Sequence, residues 1–227
     1  MFDLLFNDDW VVGINKPSGI MVHPTGITED KVFILQLLRE QLGQPIYPVH
    51  RLDRGTSGVL IFGKTPEAAG HIGRQFMEKT VSKKYLVLVR GHAPESGTID
   101  YPLASEPGKE KKEAITHFRR LAISEIDAAI GLRYPTARFS LLEAEPETGR
   151  RHQIRKHLAH INHPVINCRH GDVKQNKYFR GVFDIHRLLL HAQMLDFEHP
   201  STGARVVLTA PFDAAFAQAL EVVRIEY

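Results

Sequence analysis

The segment His50-Arg51-Leu52-Asp53-Arg54-Gly55-Thr56-Ser57-Gly58 places a single carboxylate between two arginines and closes on small, turn-forming residues. Nearby positive charge favours the anionic form of such a carboxylate. An anionic carboxylate held at a strand edge is suited to act as a nucleophile. The same residues also describe a surface ion-pair turn, and residue types alone leave both readings open.

Other patterns in the chain carry less chemistry. Gly58-Val59-Leu60-Ile61-Phe62-Gly63-Lys64-Thr65 matches the phosphate-loop pattern letter for letter. A phosphate loop must bend its inner N–H groups around an anion, whereas Val, Leu, Ile and Phe in succession prefer a buried, extended strand. The match therefore spells a strand ending at Gly63, and no nucleotide cofactor is expected. His152, His157, His160, His163 and His170, with Cys168, are poorly spaced for a metal. His157 and His160 share a helix face, but no His-Glu-x-x-His arrangement or nearby carboxylate completes a site. RNA contact, capping or core hydrogen bonding suits these histidines better, and no metal is expected. No G-x-S-x-G nucleophile elbow occurs.

The elements that position Asp53 follow from apolar spacing. Alternation predicts strands at Trp10–Ile14, Val59–Phe62, Tyr85–Val89, Ile115–Leu121, Ala137–Ala144, Leu188–Phe197 and Arg205–Leu208. Helical stripes predict helices at Val32–Leu42, Pro66–Lys79 and Arg151–Ile161, and a last one starting at Pro211. Strands outnumber helices without strict alternation, which argues for an α+β fold with a mixed, mostly antiparallel sheet. The Gly-, Pro- and charge-rich stretch Ala93–Glu113 reads as an exposed excursion from that sheet. With no repeat, linker or low-complexity block, one catalytic domain over residues 1–227 is expected.

Of the 227 residues 43% are hydrophobic and 24% charged, which describes a globular chain able to bury a core. Lys plus Arg number 29 against 26 Asp plus Glu, a formal charge of +3 that excludes a tail-like polycation. Distribution is more telling. Positive charge gathers in Arg74–Arg90, Lys109–Arg120, Arg150–Lys156 and Arg169–Arg180, while Asp3, Asp8, Asp9, Asp213, Glu221 and Glu226 keep the ends acidic. This suits a phosphate-contacting face, although a solvated surface carries the same counts. The single cysteine, Cys168, excludes a disulfide framework or cysteine zinc ribbon and fits a reducing compartment. No apolar run reaches the roughly 18 residues of a membrane span, and Met1-Phe2-Asp3 lacks a basic leader, so a cytoplasmic chain with no membrane partner is expected.

HRLDRGTSG resembles the catalytic motif of the RluA-type RNA pseudouridine synthases. Further pieces of that family's pattern follow in order: Asn15-Lys16-Pro17-Ser18-Gly19 with His23-Pro24, Lys83-Lys84-Tyr85, Thr148-Gly149-Arg150-Arg151-His152-Gln153-Ile154-Arg155, and Leu190-His191-Ala192. They cover nearly the whole chain. The resemblance implies a pseudouridine synthase fold with flanking helices and a central RNA-binding cleft, acting without a cofactor. It makes Asp53 the catalytic aspartate, by attack on base or sugar or by removal of a sugar proton. Tyr85 resembles the tyrosine that stacks on the uracil and takes the C5 proton, and is otherwise a core strand residue. Arg155 resembles the arginine that pairs with the aspartate. Arg51 matches a position that fills the gap left by the extruded uridine. Ile154 and Leu190 wall the base or belong to plain core, and His50, Arg54, Lys83 and Lys84 complete the substrate-contacting set.

The partner implied is tRNA, in its T-arm and acceptor region, with rRNA as the alternative and a non-catalytic RNA-binding or chaperone module as the rival class. An N-terminal S4-type module is not expected, and a monomer is. His170-Gly171-Asp172-Val173-Lys174-Gln175-Asn176 and Arg187-Leu188-Leu189-Leu190-His191 carry the likeness to the tRNA-modifying members, while Val165-Ile166-Asn167-Cys168 departs from a usual Gly-Asp. The basic stretches around Lys83, Lys109–Lys112 and Lys174–Arg180 are then expected to grip phosphates. Alanine at Lys83, Lys109, Lys111, Lys112, Lys174 or Lys177 should weaken RNA binding and lower the slope of log affinity against log salt by about one per lost contact. Filter binding across a salt series checks this, and unchanged slopes refute the footprint.

Overall fold

A computed structural model describes residues 1–23, 32–106, 108–130, 134–169 and 171–227. Pro24 and His170, singled out above, lie outside the described residues. In chain order the described elements are β1 (Leu4–Asn7), β2 (Val11–Lys16), α1 (Ile34–Leu42), β3 (Tyr47–Pro48), β4 (Ser57–Gly63), α2 (Pro66–Met77) and β5 (Ser82–Arg90). They continue with β6 (Ser96–Asp100), β7 (Leu103–Ala104), β8 (Lys111–Lys112), β9 (Ile115–Ile126) and β10 (Ala137–Pro146). The chain ends with α3 (Gln153–His160), α4 (Val173–Phe183), β11 (Leu190–Glu198), β12 (Arg205–Thr209) and α5 (Ala214–Val222). No described helix is long and apolar enough to cross a membrane. These elements fall into two compact units, one of residues 1–83 with 192–212 and one of 84–191 with 213–227.

In the first unit β2 pairs antiparallel with β1 and β4, and β3 with β4. Every residue of β4 is buried, as its unbroken apolar run demands. The phosphate-loop match is thus a strand: it ends at Gly63, and Thr65 caps the following helix by accepting from Ala68 N at 3.1 Å. Val11, Val59, Ile61, Ile72, Leu195, Phe197 and Leu208 form the core beneath α2. Gln75 of α2 exchanges two 2.8 Å bonds with the backbone of Glu198 at the end of β11. Gly58 sits at φ 110°, and a Cβ there would lie 2.1 Å from the Ala192 carbonyl oxygen of β11. Only glycine meets both demands.

The loop before β4 is held by His50. Its Nε2 accepts a hydrogen bond from Ile61 N at 3.1 Å, and its ring stacks on Phe76 of α2 with centroids 4.8 Å apart. Burial of the ring, reinforced by the Lys83 charge, pushes the imidazole down to about 3.

In the second unit β10 pairs antiparallel with β5 and β9, and β9 with β6. Val87, Val89, Phe118, Leu142, Ala144, Ile154, Leu158 and Leu190 lie in one buried cluster with Cys168. Here the structure corrects three expectations. Ala93–Glu113 is not simply an exposed excursion: β6 extends the ladder from Ser96 to Asp100, and Ala93, Ile99 and Leu103 are buried. Its polar composition hides the few apolar side chains that face inward. Helix α4 stands where the sequence pattern offers only a basic stretch, because its inward side chains are Gln175, Asn176 and Phe179 and so lack an apolar period. The last helix starts at Ala214 rather than Pro211, since Asp213 accepts from Phe216 N at 2.9 Å and is the better cap.

Two outcomes follow from the first unit. Gly58→Ala should destabilise the protein by about 3 kcal/mol or more, from forced left-handed backbone and a clash with Ala192, as read by urea denaturation. A histidine kept neutral in the native state but protonated in the unfolded state draws the equilibrium toward unfolding as pH falls. Stability should therefore decline from pH 6.5 downward, toward the folded value near 3, and His50→Gln should flatten that slope in denaturation measured between pH 7 and 5.

Candidate active site

The Asp53 turn is built from beneath by the Asn15-Lys16-Pro17-Ser18-Gly19 segment. Thr56 N bonds to Asp53 O at 3.0 Å, closing a tight turn with Arg54 and Gly55 at its tip. Lys16 is completely buried at the end of β2, and its ammonium donates to Thr56 O at 2.7 Å, Pro17 O at 2.9 Å and Arg54 O at 3.2 Å. Ser18 Oγ donates to Gly55 O at 2.8 Å. Arg54 and Gly19 are joined twice, by Gly19 N to Arg54 O at 2.8 Å and Arg54 Nε to Gly19 O at 2.9 Å. The carbonyls of the turn are thereby fixed from several directions. Asp53 is left half-buried, between Leu52, which is buried, and the exposed Arg51 and Arg54.

His50 and Lys83 belong to the same unit. His50 spends its ring on Ile61 and Phe76, so its visible work is to seat the loop that carries Asp53. Lys83 is half-buried, and burial together with the Lys79 charge lowers its ammonium below the usual lysine range. His23, whose partner in the motif is Pro24, is lowered by burial and then by the Arg51 charge.

The second unit holds Lys84, Tyr85, Ile154, Arg155 and Leu190. Tyr85 stands on β5 opposite Ala144 and packs, half-exposed, on the cluster that contains Ile154 and Leu190. An aromatic face is thus brought together with the two apolar side chains expected to wall a base. Lys84 lies 3.4 Å from both Glu143 and Glu145. Partial burial opposes its charge, but these carboxylates outweigh that effect and raise it above the ordinary lysine value. Glu143 also receives Arg119 at 3.1 Å, so Lys84 is committed to an ion-pair cluster on the sheet.

Helix α3 carries Arg155, and polar anchors set its position. Gln153 Oε1 accepts from Thr148 Oγ1 at 2.7 Å and Arg150 N at 3.0 Å, while its Nε2 donates to Ile115 O at 2.9 Å and Thr116 Oγ1 at 3.0 Å. His157, fully buried, bridges Thr116 Oγ1 at 2.9 Å and Tyr101 O at 3.0 Å. That bridge gives this histidine a core hydrogen-bonding role. Arg155 is 8% exposed and its Nε donates to Cys168 Sγ at 3.2 Å. Among the described residues no group of His, Cys, Asp and Glu is arranged to hold a metal ion.

Residue types did not single out Lys16, Ser18 or Gln153 as builders of the site. Each lies inside a motif quoted above, yet only the fold shows that Lys16 points inward to carbonyls rather than outward to phosphates.

Comparison with known proteins places these motifs in context. Residues 10–160 match the family model described as RNA pseudouridylate synthase. A tRNA pseudouridine synthase C from Pectobacterium carotovorum subsp. carotovorum is 42% identical over 226 residues, 94% of this chain, which spans 60% of that protein's length. The protein of the same name from Salmonella typhimurium is 41% identical over 232 residues, 97% of this chain and 89% of its own. The fold matches human RNA pseudouridylate synthase domain containing 4 with a TM-score of 0.76 at 23% identity, over 99% of this chain and 94% of that one. Human RNA pseudouridylate synthase domain containing 1 gives 0.75 at 22% identity, over 99% and 95%. The α+β, mostly antiparallel architecture read from the sequence is the one these structures share. With the HRLDRGTSG turn, the strand tyrosine and the helix arginine all set in that fold, the chain belongs to the RNA pseudouridylate synthase family.

Proposed function

We propose that this chain isomerises a uridine of tRNA to pseudouridine, with Asp53 as the catalytic carboxylate. The N1–C1′ glycosidic bond breaks, the uracil turns, a C5–C1′ bond forms, the C5 proton leaves to solvent and N1 takes one up. No redox equivalent or hydrolytic water is consumed, so the isomerisation balances without a cofactor. The observation that carries the reading is the turn itself. Its backbone is tied to Lys16, Ser18 and Gly19, while the Asp53 side chain stays half-exposed between two exposed arginines. Preorganised backbone around a reactive side chain removes motion that would otherwise have to be frozen during the reaction.

Tyr85, in one cluster with Ile154 and Leu190, offers a face for the uracil ring and a phenol for the C5 proton. Arg155 supplies a guanidinium for anionic groups formed in the reaction, and Arg51 is the exposed side chain available to the stack a flipped uridine leaves. The tRNA assignment is supported by relatives named tRNA pseudouridine synthase C that align over nearly all of this chain.

Tritium release from C5-labelled uridine in tRNA and rRNA transcripts tests both the substrate and the need for the Asp53 carboxylate. The wild-type protein should release tritium from tRNA, and Asp53→Ala should lose about 10³-fold or more of that rate. Release from rRNA alone would overturn the tRNA assignment, and binding without release from either would overturn the enzyme.

A further inference from the structure

We propose that Cys168 is a positioning residue for the Arg155 guanidinium, held in place by Asn176 of α4. The proposal rests on Arg155 acting in the reaction proposed above. Cys168 is 1% exposed, and its sulfur receives the Arg155 Nε–H at 3.2 Å. A guanidinium presents its N–H donors in one rigid plane, so fixing Nε fixes the direction in which the other two nitrogens aim. A thiol is also an uncharged acceptor. It orients the arginine through Nε without adding a charge of its own beside the guanidinium.

The backbone that carries the sulfur is tied down on both sides. Cys168 N donates to Val165 O at 3.1 Å, and Cys168 O accepts from Gly171 N at 2.9 Å and Asn176 Nδ2 at 2.7 Å. The same Asn176 amide accepts Asn167 N at 2.7 Å through Oδ1, so one side chain grips two successive residues. Asn167 sits at φ 60° and donates Nδ2 to Ile185 O at 2.7 Å. Ile166 N reaches Leu88 O at 3.0 Å, tying the segment to β5, the strand of Tyr85. Asn176 is itself 8% exposed on a helix whose Phe179 packs edge-on against Phe139, so the clamp has a rigid base. The Val165-Ile166-Asn167-Cys168 stretch, a departure in sequence, is thus a built seat in structure.

Single-turnover and steady-state kinetics of tritium release test this with Cys168→Ala, Cys168→Ser and Asn176→Asp, each beside its thermal melt. Cys168→Ala should lower kcat roughly tenfold, the worth of one hydrogen bond to a charged group, with KM within about twofold of wild type. Cys168→Ser, which restores an acceptor, should return kcat to within about threefold of wild type. Asn176→Asp keeps the acceptor for Asn167 N but turns an oxygen toward Cys168 O, and should lower kcat in the same direction as the alanine variant. Wild-type kcat in Cys168→Ala, or losses in all three variants that only track the folded fraction, would overturn the proposal. Should the alanine variant fail to fold, the serine and aspartate variants decide it by the same criterion. Arg155→Lys separates the two readings: full turnover there refutes the role of Arg155, while collapse there with a silent Cys168→Ala refutes the positioning alone.

Discussion

The ammonium of Lys16 is the point on which the Asp53 turn depends. A charge without solvent is tolerated only where its donors are satisfied, and three carbonyls, of Pro17, Arg54 and Thr56, converge on this one. The geometry works in both directions. The carbonyls keep a cation buried, and the cation keeps carbonyls that would otherwise repel one another aimed at a single point. Two segments far apart in sequence, 15–19 and 50–58, are in this way made into one object, with Ser18 and Gly19 adding their own bonds to Gly55 and Arg54. An apolar contact would have brought the segments together without fixing the peptide planes between Asp53 and Thr56.

The second unit relies on the same principle with amides in place of an ammonium. Gln153 and Asn176 are each nearly buried, and each uses both ends of its side chain on partners that belong to other segments. A buried amide with its hydrogen bonds complete is directional in a way that leucine packing is not. Gln153 sets the first turn of the helix that carries Arg155, and Asn176 sets the loop on which that arginine rests. The apolar cluster of Ile154, Leu158, Leu190 and Cys168 supplies the burial, and the amides supply the register.

Most strands of the fold were legible because long apolar alternation leaves little choice, as in β2, β5, β9, β10 and β12. The candidate catalytic residues were legible through motif types and order. What escaped was polar structure. Helix α4 faces inward with Gln175 and Asn176, so a search for apolar spacing passes over it. The ladder of β6 rests on few apolar residues, Ile99 foremost, within a stretch whose composition otherwise signals solvent. Lys16 was invisible as a core residue, since a lysine reads as surface until its acceptors are known. His50 sits in the motif beside Asp53, and only the fold shows that its ring also accepts from Ile61 N and stacks on Phe76. In each case the deciding partner lies beyond the i+2 and i+3/i+4 spacings that apolar periodicity reads, or is a backbone carbonyl that residue types do not reveal.

Both units are assembled from separated stretches of chain, the first from residues 1–83 and 192–212. The ribosome therefore delivers Asp53 and its turn early but Ala192, against which Gly58 must close, only after 133 intervening residues. At ordinary elongation rates that delay is on the order of ten seconds. During this interval β4, with its Val59–Phe62 apolar run, exists without β11, the strand that later closes on Gly58. The unit that carries Asp53 is thus closed only once residues 192–212 have been made, and until then nascent β4 lacks the strand that meets Gly58.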